Sequence, residues 1–150
     1  MESKPNVVLV PADLGAPSKK ALETAKDLVA KLGGEVVVVH VYTLPSYGYP
    51  GLSPMLYPSL NEEIAAAAKR AIDQLTQAAP GVRVLVREGD PAAEILRVID
   101  ELHPSMVVMG THGRTGLSHF FLGSVAEKVL RQSKVPVLTI RVHDEPLPKD

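Results

Sequence analysis

The residues with the clearest chemical potential run from position 110 to 124: Gly110-Thr111-His112-Gly113-Arg114-Thr115-Gly116-Leu117-Ser118-His119-Phe120-Phe121-Leu122-Gly123-Ser124. Glycines carry no Cβ, so successive backbone N–H groups can turn toward an anion. A helix opening at Gly123-Ser124 would add its unpaired first N–H groups and its dipole at the same point. The Ser124 hydroxyl would add another donor. Phosphate is the natural ligand for such a loop. No lysine follows the glycines as in a P-loop, so that motif's grip on a γ-phosphate is missing. A plainer reading stands beside this one. Ser124 with Glu127 makes a capping box, and Gly110 and Gly113 can simply shape a tight connection.

Local charge favours the anion. Between Thr111 and Lys134 stand Arg114, Lys128, Arg131 and Lys134 against Glu127 alone, a net of +3 in a chain of net -1. Arg114 and the helix terminus are the parts of that field nearest the loop. A second candidate group is Pro11-Ala12-Asp13. The Asp13 carboxylate there can accept from a ribose hydroxyl or an adenine amine, or help hold a metal. Equally, it can cap the turn before the first helix. His112 and His119 could orient water or contact phosphate, although exposed loop histidines are commonly just solvated. They have no third ligand at metal spacing, which argues against zinc. Phosphoryl transfer also needs a group that orients the nucleophile, and the glycine loop holds no carboxylate to act as base. The case for catalysis is thin.

These residues need a scaffold. Five short apolar runs are evident: Val7-Val8-Leu9-Val10, Val36-Val37-Val38-Val39, Val82-Arg83-Val84-Leu85-Val86, Met106-Val107-Val108-Met109 and Val135-Pro136-Val137-Leu138-Thr139-Ile140. Continuous β-branched runs suit strands covered on both faces of a parallel sheet. Helical spacing separates them. One stripe is Ala21, Leu22, Ala25, Leu28, Val29 and Leu32, stopped by Gly33-Gly34; another is Leu60, Ile64, Ala68, Ala71 and Leu75, stopped by Pro80-Gly81. Asp90-Pro91 opens a third helix with Ile95, Leu96, Ile99 and Leu102. The fourth carries Val125, Val129 and Leu130. Strands alternating with helices imply an α/β fold, with helices on both faces of the sheet. In such sheets ligands bind beyond the carboxyl ends of the strands, where strand order reverses. The loops after Val10, Val41 and Met109 are therefore the place to look.

The stretch from Thr43 to Pro58 breaks the rhythm, with Pro45, Pro50, Pro54 and Pro58 and the tyrosines Tyr47, Tyr49 and Tyr57. It reads either as a flap at the ligand edge or as an exposed or dimer-buried insertion. The final residues 143–150 read as a flexible tail.

Composition narrows the class. The chain has 150 residues, which suits one domain over 1–150. Its near-neutral charge argues against a dedicated nucleic-acid surface. Cysteine is absent, which removes disulfides, thiolate metal sites and cysteine nucleophiles. No apolar run approaches the roughly 18 residues of a membrane span, and Met1 to Asn6 lacks a signal-peptide pattern. The expectation is a cytoplasmic protein with no membrane partner.

The glycine spacing is also specific. Gly110, two residues, Gly113, nine residues, Gly123 and then Ser124 resembles the nucleotide-binding branch of the universal stress protein family. Pro11-Ala12-Asp13, His40-Val41, Gly89-Asp90-Pro91 and Pro136-Val137-Leu138 extend the resemblance along nearly the whole chain. It implies a Rossmann-like open sheet of five parallel strands, in the order 3-2-1-4-5. It implies ATP, or alternatively AMP or cyclic AMP, with Mg²⁺ accompanying a triphosphate. By position, Pro11, Ala12, Asp13 and the backbone of Val41 would address the adenosine end. Met109, Gly110, His112, Gly113, Arg114, Gly123, Ser124 and Val125 would form the rest of the site toward ribose and phosphates. A homodimer through Val137, Leu138, Thr139 and Ile140 is also implied. Ala12 departs from the family, which often has Ser or Thr there. The resulting expectation is a stress-response nucleotide-binding protein with slow or no hydrolysis. The alternatives are an ATP-using enzyme of the same fold, a cyclic-AMP sensor, and an interaction module with a vestigial pocket.

Overall fold

The computed structural model describes residues 5–13, 16–45, 50–111 and 122–141. Strands β1 (Val7–Pro11), β2 (Glu35–Tyr42), β3 (Arg83–Glu88), β4 (Met106–Gly110) and β5 (Val137–Ile140) alternate with helices α1 (Ala16–Leu32), α2 (Tyr57–Ala78), α3 (Pro91–Leu102) and α4 (Ser124–Gln132). The strands form one sheet in the order β3-β2-β1-β4-β5. Every pairing is parallel.

The continuous apolar strands are explained by burial on both faces. In β2, Val36 and Val38 point to one core with Val8, Val10, Ala21, Leu22, Ala25 and Leu75, under α1 and α2. Val37 and Val39 point to the other with Leu9, Ile95, Val98, Ile99, Val107 and Val129, under α3 and α4. Alternation along each strand therefore separates two cores, not a core from solvent. A fully buried valine contributes roughly 1.5–3 kcal/mol relative to exposure, so losing either helical layer would be severely destabilising. The edges differ: Leu138 of β5 remains 38% exposed.

Helix boundaries follow local chemistry. Asp90 caps α3 with its carboxylate accepting from the Ala93 N–H at 2.9 Å, and Pro91 takes the first helical position where no N–H is needed. His103 ends that helix in the left-handed conformation, φ 46°. The proline-rich stretch is more ordered at its end than its composition suggests. A 3-10 turn at Pro54–Leu56 leads into α2, which already includes Tyr57 and Pro58. Tyr57 is buried against the protein, at 1% exposure, and so belongs to the core and not to a flap. The remaining flap residues 46–49 and the expected tail 143–150 lie outside the described residues.

Candidate functional site

Order reverses between β1 and β4. From β1 the chain crosses to β2, and from β4 it crosses the other way to β5. The two departures open a crevice at the carboxyl ends of the strands. A cleft of about 330 Å³ lies there, lined by Pro11, Ala12, Asp13, Val39, Val41, Met109, Gly110, Thr111, Gly123, Ser124 and Val125, with Ser18, Pro91, Ile95 and Ala126 completing its walls. The residues expected from the sequence at the ends of β1, β2 and β4 and the start of α4 thus share one cleft. His112, Gly113 and Arg114 lie outside the described residues.

Val41 qualifies through its backbone. In a strand, the N–H and C=O of one residue face the same neighbour, and successive residues alternate. The Val39 carbonyl accepts from the Ala12 N–H on the β1 side at 3.0 Å, whereas the Tyr42 carbonyl accepts from the Gly89 N–H on the β3 side. Val41 therefore faces the β1 side, but β1 ends at Pro11, opposite Val39. One donor and one acceptor are aimed past the end of the neighbouring strand, toward the cleft. Gly110 has the corresponding position on β4. The N–H groups of Val107 and Thr111 donate to the β5 side, so the alternate residue Gly110 faces β1.

Asp13 is held firmly. Its N–H donates to Ser18 Oγ at 3.0 Å, and Ser18 Oγ donates to Asp13 Oδ1 at 2.8 Å. Ser18 itself is buried, at 7% exposure. Asp13 thus lines the cleft and is tied through the Ser18 hydroxyl to the first turns of α1. His40 braces the preceding residue, its Nδ1 lying 2.9 Å from the Ala12 carbonyl. A carbonyl only accepts, so Nδ1 carries the hydrogen.

The α4 terminus corrects one expectation. Gly123, not Ser124, is the N-cap, in extended conformation at φ -60° and ψ 154°, and no side chain caps the helix. Ser124 is already the first helical residue, so the Ser124–Glu127 capping box does not form. The Gly123 N–H is spent on the Thr111 carbonyl at 2.6 Å. The N–H groups of Ser124, Val125 and Ala126 have no intrahelical acceptor, and all three residues line the cleft. With the dipole of α4, these form an anion-directed end worth roughly 0.3–1 kcal/mol for a neighbouring charge at the surface, more when partly buried.

Pairing lowers the positive surplus on this segment only from +3 to +2, because the +3 already subtracts Glu127. Arg131 pairs with Glu127 one helical turn back, and Lys134 pairs with Asp100 at 3.2 Å. Glu127 belongs to the first turn of α4, whereas Lys134 lies past the last helical residue, Gln132. The first-turn N–H groups line the cleft wall and are the donors nearest an anion there.

Gly110 also has a reason that its place in the motif did not reveal. A Cβ at this position would stand 2.4 Å from Pro17 Cβ and 3.2 Å from the Pro17 carbonyl carbon. The close approach of α1 to β4 demands glycine there, whatever is bound. Sequence reasoning missed Ser18, Val39, Thr111, Pro91, Ile95 and Ala126 as lining residues. For Ser18 the available signal was its five-residue offset from Asp13; the others carried none beyond adjacency to motif residues or membership of an apolar stripe.

A parallel sheet in this order, with a cleft at its switch point, defines a Rossmann-like α/β fold. The chain belongs to the universal stress protein family, whose pattern it matches over residues 5–141. It is 30% identical over 137 residues to universal stress protein MJ0531 of Methanocaldococcus jannaschii, covering 89% of this chain and 81% of that protein. The structure of MJ0577 from the same organism shares the fold, with a TM-score of 0.77 at 24% identity over 93% of this chain and 98% of that one. A universal stress protein crystallised in complex with cAMP is 26% identical, with a TM-score of 0.58, over 93% of this chain and 98% of that one.

Proposed function

We propose that this universal stress protein binds an adenine nucleotide in the switch-point cleft and acts as a stress-response regulator, with slow or no hydrolysis. The observation that carries the proposal is the convergence of three unlike groups in one crevice. Val41 offers a backbone donor and acceptor suited to the edge of a base. Asp13 offers a fixed acceptor for a ribose hydroxyl or an amine. The first turn of α4 offers N–H donors for phosphate. Gly110, Gly123 and Met109 supply the walls, and His112, Gly113 and Arg114 would complete the phosphate end by their place in the motif. The cAMP-bound relative supports a nucleotide of this class.

ATP is the favoured ligand, and AMP or cyclic AMP is the second reading, supported by that relative. Mg²⁺ fits here only as the companion of a triphosphate. Among the described residues there is no group of three or more His, Cys, Asp or Glu side chains placed to hold a metal, whereas Mg²⁺ readily takes phosphate oxygens and water with one or two protein ligands. We read residues 1–150 as one domain working in the cytoplasm. Among the described residues, no helix is long and apolar enough to cross a membrane. Pairing through the open β5 edge would give a homodimer centred on Val137, Leu138, Thr139 and Ile140.

The test is direct. Freshly purified protein is denatured and the released nucleotide identified by mass spectrometry, and ATP, AMP and cyclic AMP are titrated calorimetrically into nucleotide-free protein. Binding of one adenine nucleotide per chain, with triphosphate persisting over hours, supports the proposal. Failure of all three to bind at millimolar concentration overturns it, and rapid turnover would make the protein an enzyme.

A further inference from the structure

The turn between β1 and α1 is held at both of its described residues, Ala12 and Asp13. The Ala12 N–H donates to the Val39 carbonyl at 3.0 Å, and the Ala12 carbonyl accepts from His40 Nδ1 at 2.9 Å. Asp13 is then gripped by a single hydroxyl, which accepts from its N–H at 3.0 Å and donates to its Oδ1 at 2.8 Å. That hydroxyl belongs to Ser18, which is buried on the first turns of α1 and forms part of the cleft wall. A contact to both the main chain and the carboxylate of one residue closes a small ring and fixes both side-chain torsions of Asp13.

We infer that Ser18 is a positioning residue for ligand recognition: it presets the Asp13 carboxylate as an acceptor of fixed direction, selecting ligands with a hydroxyl or amino donor at that point. The inference rests on the nucleotide reading of the cleft and deepens it. Without the clasp, this part of the ordering of Asp13 falls to the moment the ligand arrives, and its cost is subtracted from affinity. A hydrogen bond to a charged group is stronger than one between neutral groups, and part of it shows as positioning. Loss of the clasp is therefore expected to weaken binding about 5- to 20-fold.

A double-mutant cycle tests this against a merely structural role. ATP affinity is measured by calorimetry for wild type, Ser18→Ala, Asp13→Ala and the double variant, with Ser18→Thr as the conservative control. The expected result is weaker binding in Ser18→Ala, substantial rescue in Ser18→Thr, and little or no further effect of Ser18→Ala once Asp13 is already alanine. An equal effect in both backgrounds would mean that Ser18 acts through general stability, and overturns the inference. So does unchanged affinity in Ser18→Ala. Should the alanine variant fail to fold, Ser18→Cys retains the volume with a weaker hydrogen-bonding group and serves in the same cycle. Absence of ATP binding by the wild type is a separate result, which defeats the nucleotide reading itself.

Discussion

Replacing Gly123 by valine separates binding from folding at the mouth of the cleft. Gly123 has φ -60° and ψ 154°, a conformation open to any residue, so valine introduces no backbone strain. Both of its main-chain bonds can persist: its N–H to the Thr111 carbonyl at 2.6 Å, and its carbonyl accepting from the Glu127 N–H at 2.9 Å. Restricting the unfolded chain stabilises by about 0.4–1 kcal/mol at a compatible glycine position. Valine is a poorer N-cap than glycine, which costs a comparable amount. The two effects nearly cancel, and the melting temperature should move by no more than about 4 °C. Binding is another matter. A branched side chain at the N-cap would hold a phosphate away from the Ser124, Val125 and Ala126 N–H groups. Each bond to a charged group contributes roughly 1.5–3 kcal/mol; losing two removes about 3–6 kcal/mol, at least a hundredfold in Kd. Calorimetric titration with ATP, alongside thermal melts monitored by circular dichroism, reads both quantities. An affinity within about threefold of wild type would refute the placement of phosphate at the start of α4.

Gly110→Ala should behave oppositely. Its Cβ meets Pro17, whose ring cannot swing away, so overpacking should cost about 1–3 kcal/mol in denaturant unfolding; unaltered stability would show that α1 can shift freely. Asp13→Ala should weaken ATP binding about tenfold, and an unchanged calorimetric Kd would leave Asp13 only its part in tying α1. Leu138→Glu, on the half-exposed β5 edge, should shift a dimer toward monomer in sedimentation, whereas an unmoved equilibrium would place any interface elsewhere. Asp90→Ala removes the α3 cap and should cost about 0.5–2 kcal/mol without altering ATP affinity, because Asp90 does not line the cleft.

Much of this architecture was legible in the sequence because both sides of the sheet are covered. The β-branched run Val36 to Val39 suits a strand buried on both faces, and the alternation of such runs with amphipathic stripes led to the parallel sheet. Gly110, Gly123 and Ser124, singled out by the glycine spacing, line one cleft. What escaped was whatever depends on the third dimension. Ser18 is one polar residue in a helix that also carries lysines and glutamate, and nothing in its type shows that it reaches back to Asp13. Gly110 looked like a phosphate-binding glycine, yet its lack of a side chain also answers to Pro17, far away in sequence. Ser124 carried a capping-box signature with Glu127, but Gly123 in extended conformation took the cap and left the serine one place inside the helix. Summed charge was a weaker guide for a related reason: the +3 of this segment already subtracts Glu127, the partner of Arg131, and Lys134 finds its partner in Asp100 of α3. The proline-rich stretch down to Pro58 could be read as a flap or as an exposed or dimer-buried insertion, whereas burial of Tyr57 draws its last residues into α2.

The most direct measurement is a titration of ¹⁵N-labelled protein with ATP, followed by amide chemical shifts. A nucleotide in the switch-point cleft should move the Asp13, Val41, Gly110, Ser124 and Val125 amides together, saturating at one ligand per chain, while amides at the opposite ends of the strands such as Val7 and Glu35 stay in place. Saturable binding that leaves Val41 and Ser124 unmoved, or no shifts at millimolar ATP, AMP and cyclic AMP, would contradict it.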